Sequence, residues 1–117
     1  MNIAHYLNQL RKAPSSISFE NTLSAIDSHY QFTATAFTNG ALSNVANENN
    51  GSCKIFAFAQ LQNLSEKQTL HCFGDYYRKD VLQNPNAENH PNIRSFIVSG
   101  WAGITFGRLA LTINRAK

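Results

Sequence analysis

A chain of 117 residues is long enough to bury one hydrophobic core and too short for two. Its net charge is only +3, and the basic residues Arg11-Lys12, Lys54, Arg78-Lys79, Arg94 and Arg108 are scattered rather than striped, so composition gives no sign of a nucleic-acid binder. Cys53 and Cys72 do not make a disulfide scaffold, no apolar run reaches membrane-spanning length, and Met1–His5 lacks the regions of a secretory leader; a reduced, cytoplasmic-type protein is expected.

Ile3, Tyr6, Leu7 and Leu10 recur at i, i+3, i+4 and i+7, which predicts an amphipathic helix over 2–12, stopped by Pro14. Ser18 caps a second helix with Phe19, Leu23, Ile26 and Tyr30 on its inner face. Beyond Tyr30, Phe32, Ala34 and Ala36 alternate with polar residues, as in a strand. Asn39-Gly40 predicts a hairpin tip, because both positions tolerate the positive φ of a type I′ turn; Thr35–Thr38 then pairs with Ala41–Val45. After a polar loop, Cys53–Gln62 reads as a third helix, apolar nearly all round and therefore central.

Ser65-Glu66-Lys67-Gln68 is a capping box that opens a fourth helix, with Leu70, Phe73, Tyr77 and Val81 facing inward and Pro85 ending the region. His90-Pro91 opens a fifth, with Ile93, Phe96 and Ile97 packed. Gly100–Gly103 is a turn. Ile104–Phe106 and Leu109–Ile113 then read as a hairpin around Gly107-Arg108. The sum is a single α+β domain over 1–117, with about five helices around a central helix that starts near residue 53, and two short hairpins at 35–45 and 104–113.

The segment Asn49-Asn50-Gly51-Ser52-Cys53-Lys54 carries the most chemistry. A helix start offers unpaired N–H groups and positive potential, which push a thiol toward thiolate or hold an anion. Two readings follow. In the first, the protein binds a protein partner or a small anion through Asn39, Asn50, Gly51, Ser52, Lys54, Arg78 and Arg94. In the second, Cys53 is a nucleophile with His29 or His90 as base and Asn39 or Ser52 holding an oxyanion. The spacing of His71 and Asp75 places them on one helix face as a possible pair. No metal-ligand spacing and no cofactor motif is present in the sequence.

Asp27-Ser28-His29-Tyr30-Gln31-Phe32 and the following Thr33–Gly40, with Asn49–Phe58, Phe73-Gly74, Tyr76-Tyr77-Arg78, Asn92–Phe96 and Gly100–Phe106, resemble the HopJ type III effector family in order and spacing over nearly the whole chain. The chain departs from the family pattern at Ala34, where a proline is usual, and after Phe106, where Gly107-Arg108 and a basic tail follow. The resemblance implies a small bacterial protein of the cytoplasm, of a kind delivered into host cells by a type III secretion apparatus. It brings no defined biochemical activity.

Overall fold

The computed structural model describes residues 2–113. Helix α1 (Ile3–Lys12) begins at Asn2, whose side chain accepts from the His5 amide, and buries Tyr6 and Leu10. A 3-10 turn at Pro14–Ser16 leads to α2 (Phe19–His29). Ser18 caps α2 in a reciprocal box with Asn21, which satisfies two otherwise orphaned donors. Three short strands follow: β1 (Tyr30–Phe32), β2 (Phe37–Asn39) and β3 (Leu42–Asn44).

Helix α3 (Asn50–Leu61) is the central element: Cys53, Ile55, Phe56, Phe58 and Ala59 are all buried. The Phe56 ring lies 5.0 Å from Phe96, 5.5 Å from Phe73 and 6.1 Å from Phe37, so one side chain joins three parts of the core. Helix α4 (Glu66–His71) has the expected Ser65–Gln68 box. A π-helical turn (Tyr76–Val81), α5 (Pro91–Ser99), a 3-10 turn (Gly100–Gly103), β4 (Ile104–Phe106) and β5 (Leu111–Ile113) complete the described chain. The architecture is α+β, with two small antiparallel sheets, β3-β2-β4 and β1-β5.

Four local differences from the sequence reading matter for the site. First, the hairpin at 35–45 forms, but Asn39 pairs with Leu42, so the turn residues are Gly40-Ala41. Only Gly40 has positive φ there (+60°), a demand glycine meets without strain, and Asn39 is left in the strand facing inward. Second, the strands near 104 and 111 exist but do not pair with each other. β4 pairs with β2 and β5 with β1, which buries Ile104 and Leu111 on separate sheets and outweighs the local turn chemistry of Gly107-Arg108.

Third, α3 starts at Asn50 rather than near 53, because Asn49 adopts the left-handed conformation (φ 57°) and turns the chain into the helix early. Fourth, the expected fourth helix breaks at Gly74 (φ +65°). A Cβ at that position would stand 2.6 Å from the Phe19 amide nitrogen, so the chain bends there to let the start of α2 approach. Ile97, expected to pack, is 47% exposed on the outer side of α5. The carboxyl-terminal basic residues Arg115 and Lys117 lie outside the described residues.

Candidate functional site

Cys53 does not meet the requirements of a helix-start thiolate. It occupies the fourth position of α3, and its own amide already donates to the Asn49 carbonyl at 3.0 Å. Its thiol is 1% exposed and, among the described residues, reaches only the Thr35 carbonyl, at 3.9 Å. Burial pushes its pKa up, against the direction a nucleophile needs. Neither candidate base bonds to it. His29 Nδ1 donates to the Ala25 carbonyl of its own helix at 3.0 Å, and His90 Nε2 meets Asp80 Oδ2 at 2.9 Å. Cys72 is buried beside Tyr6, whose hydroxyl donates to its sulfur at 3.3 Å, and burial pushes this thiol up to about 12.

The expected anion-binding cations are occupied within the protein. Lys54 pairs with Asp27 at 2.9 Å and sits 5.2 Å from the centre of the Phe32 ring. Arg78 donates to the carbonyls of Pro14, Ile17 and His71 and to His71 Nδ1, pinning the 14–17 segment. Arg94 donates to Asn89 O at 2.6 Å, Asn89 Oδ1 at 2.7 Å and the Pro85 carbonyl at 3.3 Å, which shapes the loop before α5. Both arginines therefore satisfy buried or loop carbonyls, a role suited to the planar fork of guanidinium donors, which can meet several carbonyls at once. The break at Gly74 also separates His71 from Asp75; the carboxylate instead faces Arg78 at 3.5 Å and Lys79 at 3.7 Å.

What remains of the expected set is Asn50, Gly51 and Ser52, and the fold gives them company. Helices α1, α2 and α4 are closed by side-chain caps from Asn2, Ser18 and Ser65. Helices α3 and α5 have none: their N-caps, Asn49 and His90, are left-handed residues (φ 57° and 52°) whose side chains make no capping bond. Among the described residues, the amides of Asn50, Gly51 and Ser52 in α3 and of Asn92 and Ile93 in α5 find no acceptor. Pro91 fills the one position of α5 where a missing N–H costs nothing.

The two helix starts meet at one cavity of about 290 Å³. Gly51 and Ser52 line it from α3, and His90, Asn92 and Ile93 from the start of α5. Asn49 and Pro91 also line it, and Phe73 and an aromatic row complete the wall: Phe19 lies 5.0 Å from Tyr76, which lies 4.9 Å from His90 at an interplanar angle of 30°. Each helix brings roughly half a positive charge to its first turn, so two starts concentrate positive potential at this place without a lysine or arginine in the wall. A second cavity of about 360 Å³ adjoins it across Phe19, Phe73 and Tyr76 and carries Ser15, Ser16 and Ser18 on its rim. Among the described residues no cluster of His, Cys, Asp or Glu is placed to hold a metal ion, and no helix is long and apolar enough to cross a membrane.

A buried amide cluster lies behind the cavity. Asn44 on β3 and Asn92 on α5 exchange side-chain hydrogen bonds in both directions, at 3.1 and 3.0 Å. Asn49, the N-cap of α3, donates to Asn44 Oδ1 at 2.8 Å. Asn39 on β2 donates to Asn92 O at 2.8 Å and Oδ1 at 3.0 Å, while its own Oδ1 has no partner among the described residues. The sequence singled out Asn39 for an oxyanion role, but its amide is directed into this cluster. Phe19, Phe73, Tyr76, Asn92 and Ile93 were not recognised as site residues from the sequence. The one available signal was that Pro91, like Asn49-Asn50-Gly51, marks a helix start.

Comparison with known proteins agrees with these motifs. A family model described as HopJ type III effector protein matches residues 3–111. The fold is also that of a crystal structure of an unknown-function protein, VPA0580, with 51% sequence identity, a TM-score of 0.96, and coverage of 97% of this chain and 95% of that one. A search of curated proteins finds no match.

Proposed function

The chain belongs to the HopJ type III effector family, and from that premise we propose that it works as a binding protein, holding a small oxyanion, such as phosphate or the phosphate of a larger ligand, in the cavity between the starts of α3 and α5. The observation that carries this reading is the convergence of two uncapped helix starts on a single cavity, whose lining residues Gly51, Ser52, Asn92 and Ile93 have amides with no acceptor among the described residues. Backbone donors of this kind suit a phosphate or carboxylate, because they match its lone pairs and add helix-dipole charge. No covalent step is required, in keeping with a thiol at Cys53 that is buried and held protonated.

A titration of 15N-labelled protein with inorganic phosphate, and separately with sulfate, tests the proposal. The amides of Gly51, Ser52, Asn92 and Ile93 should move together along one saturable curve. Gly51→Ala should weaken the binding, since its Cβ would stand 2.8 Å from the Phe19 ring at the cavity wall. Shifts confined to exposed cations such as Arg11, Lys12 and Arg108, or no saturable shift at all, would overturn the reading. The family name also supports delivery through a type III apparatus. Translocation of a reporter fusion in a secretion-competent strain, lost in a secretion-deficient one, is the expected result; no translocation in either removes that part.

A further inference from the structure

We propose that the buried asparagine cluster is the positioning device of this cavity: Asn44, bonded at once to the N-cap of α3 and to the first turn of α5, fixes the distance between the two helix starts and so sets the anion affinity. The inference rests on the oxyanion reading of the cavity for its functional meaning, but its structural part is independent of it. Asn44 Oδ1 accepts from both Asn49 Nδ2 (2.8 Å) and Asn92 Nδ2 (3.0 Å), so a single oxygen ties α3 to α5. Asn44 Nδ2 returns to Asn92 Oδ1 and also reaches the Phe37 carbonyl, which anchors the pair to the sheet. Asn39 Nδ2 and the Ser95 hydroxyl, which donates to Asn39 O at 2.6 Å, hold α5 on β2 from the other side.

The cluster is a poor way to fill a core for stability alone. Asn39 Oδ1 is fully buried with no donor among the described residues, and a half-satisfied amide network costs more than an apolar filling of the same space. What such a network provides is directionality: an amide pair bonded in both directions accepts one distance and one orientation, where packed methyl groups accept many. Asn44 and Asn92 act here as positioning residues, because their side-chain amides are spent on each other.

Two variants and two readouts test the idea. Asn44→Ala removes the bridge at its centre. Asn49→Gly removes only the exposed arm while keeping the left-handed backbone that glycine adopts freely, and it guards against a fold lost in the first variant. The first readout is amide hydrogen exchange at Cys53 and Arg94, the first residues of α3 and α5 whose amides are bonded within the helix. The second is affinity for inorganic phosphate from the amide shifts. Both variants should speed exchange at both positions, including Arg94 in Asn49→Gly, and weaken phosphate binding by roughly tenfold. Unchanged Arg94 exchange in Asn49→Gly, or wild-type affinity in a variant whose exchange has changed, would overturn the positioning role while leaving the oxyanion reading in place. If the wild-type protein does not bind phosphate, the oxyanion reading and the affinity claim fall together, and coupled exchange at Cys53 and Arg94 would still establish the bridge.

Discussion

Replacing Gly74 with alanine should destabilise the protein by about 2–5 kcal/mol, from two causes that add. Gly74 sits at φ +65°, where a Cβ costs about 1–2 kcal/mol in an L-residue. That Cβ would also stand 2.6 Å from Phe19 N and 3.1 Å from the Ser18 backbone. Those atoms belong to a capped helix start and cannot swing aside as a side-chain tip would, so overpacking adds about 1–3 kcal/mol. Gly74→Asn separates the two causes, since asparagine tolerates the left-handed region but carries the same Cβ. Urea unfolding gives both numbers, with the m-value unchanged if the unfolded states match. A protein of this length has roughly 6–18 kcal/mol to lose, so the variants should remain folded enough to measure. A loss below about 1 kcal/mol in Gly74→Ala would refute the close approach of α2 to this bend. Near-complete recovery in Gly74→Asn would refute the steric half of the argument.

Phe56→Ala should cost about 3–5 kcal/mol in the same assay, because the ring is fully buried among Phe37, Phe73 and Phe96; a cost under about 1 kcal/mol would contradict that packing. Cys53 should resist alkylation in the native protein at pH 8 and react only once denaturant is added; rapid native labelling, absent in Cys53→Ser, would restore the thiolate reading. His71 is held below its ordinary value by burial first, and then by Arg78 and Lys67. The native state therefore keeps it neutral while the unfolded chain takes up a proton, so its contribution is fully present above pH 6.5 and is lost as the pH falls below that value. The urea midpoint should drop between pH 7.5 and 5.5, and His71→Gln should flatten the drop; an identical slope in the variant would assign it to other groups.

The local punctuation of this chain was readable because it is local chemistry. Ser18 and Ser65 cap the helices they were expected to cap, and Pro91 opens α5, since each effect spans only three or four residues. The Asn39-Gly40 signal located the hairpin but not its register, and a shift of one residue sent Asn39 inward to the amide cluster. The partners of β4 and β5 were not readable, because pairing with β2 and β1 is decided by burial far along the chain. Arg78 and Arg94 looked like anion binders because nothing in a sequence reveals which carbonyls will be left without backbone donors; here those of Ile17, Pro85 and Asn89 were. The cavity shares this character. Each helix start was visible, but their meeting is a tertiary event.

The pairing of β4 with β2 and of β5 with β1 also dictates the order in which the chain assembles. The capped helices and the β2–β3 hairpin involve near neighbours and form early, whereas Phe37 meets Phe106 and Tyr30 meets Ile113 only after most of the chain has been drawn together. Loop-closure entropy is spent before these contacts return anything, so closure of the two sheets belongs to the late, slow part of folding. Until then β1 has no strand partner and β2 has one side open. A chain cut before residue 104 is therefore not a smaller copy of the same fold. It uncovers two strand edges that β4 and β5 would cover, and its expected fate is association with other chains rather than a stable monomer.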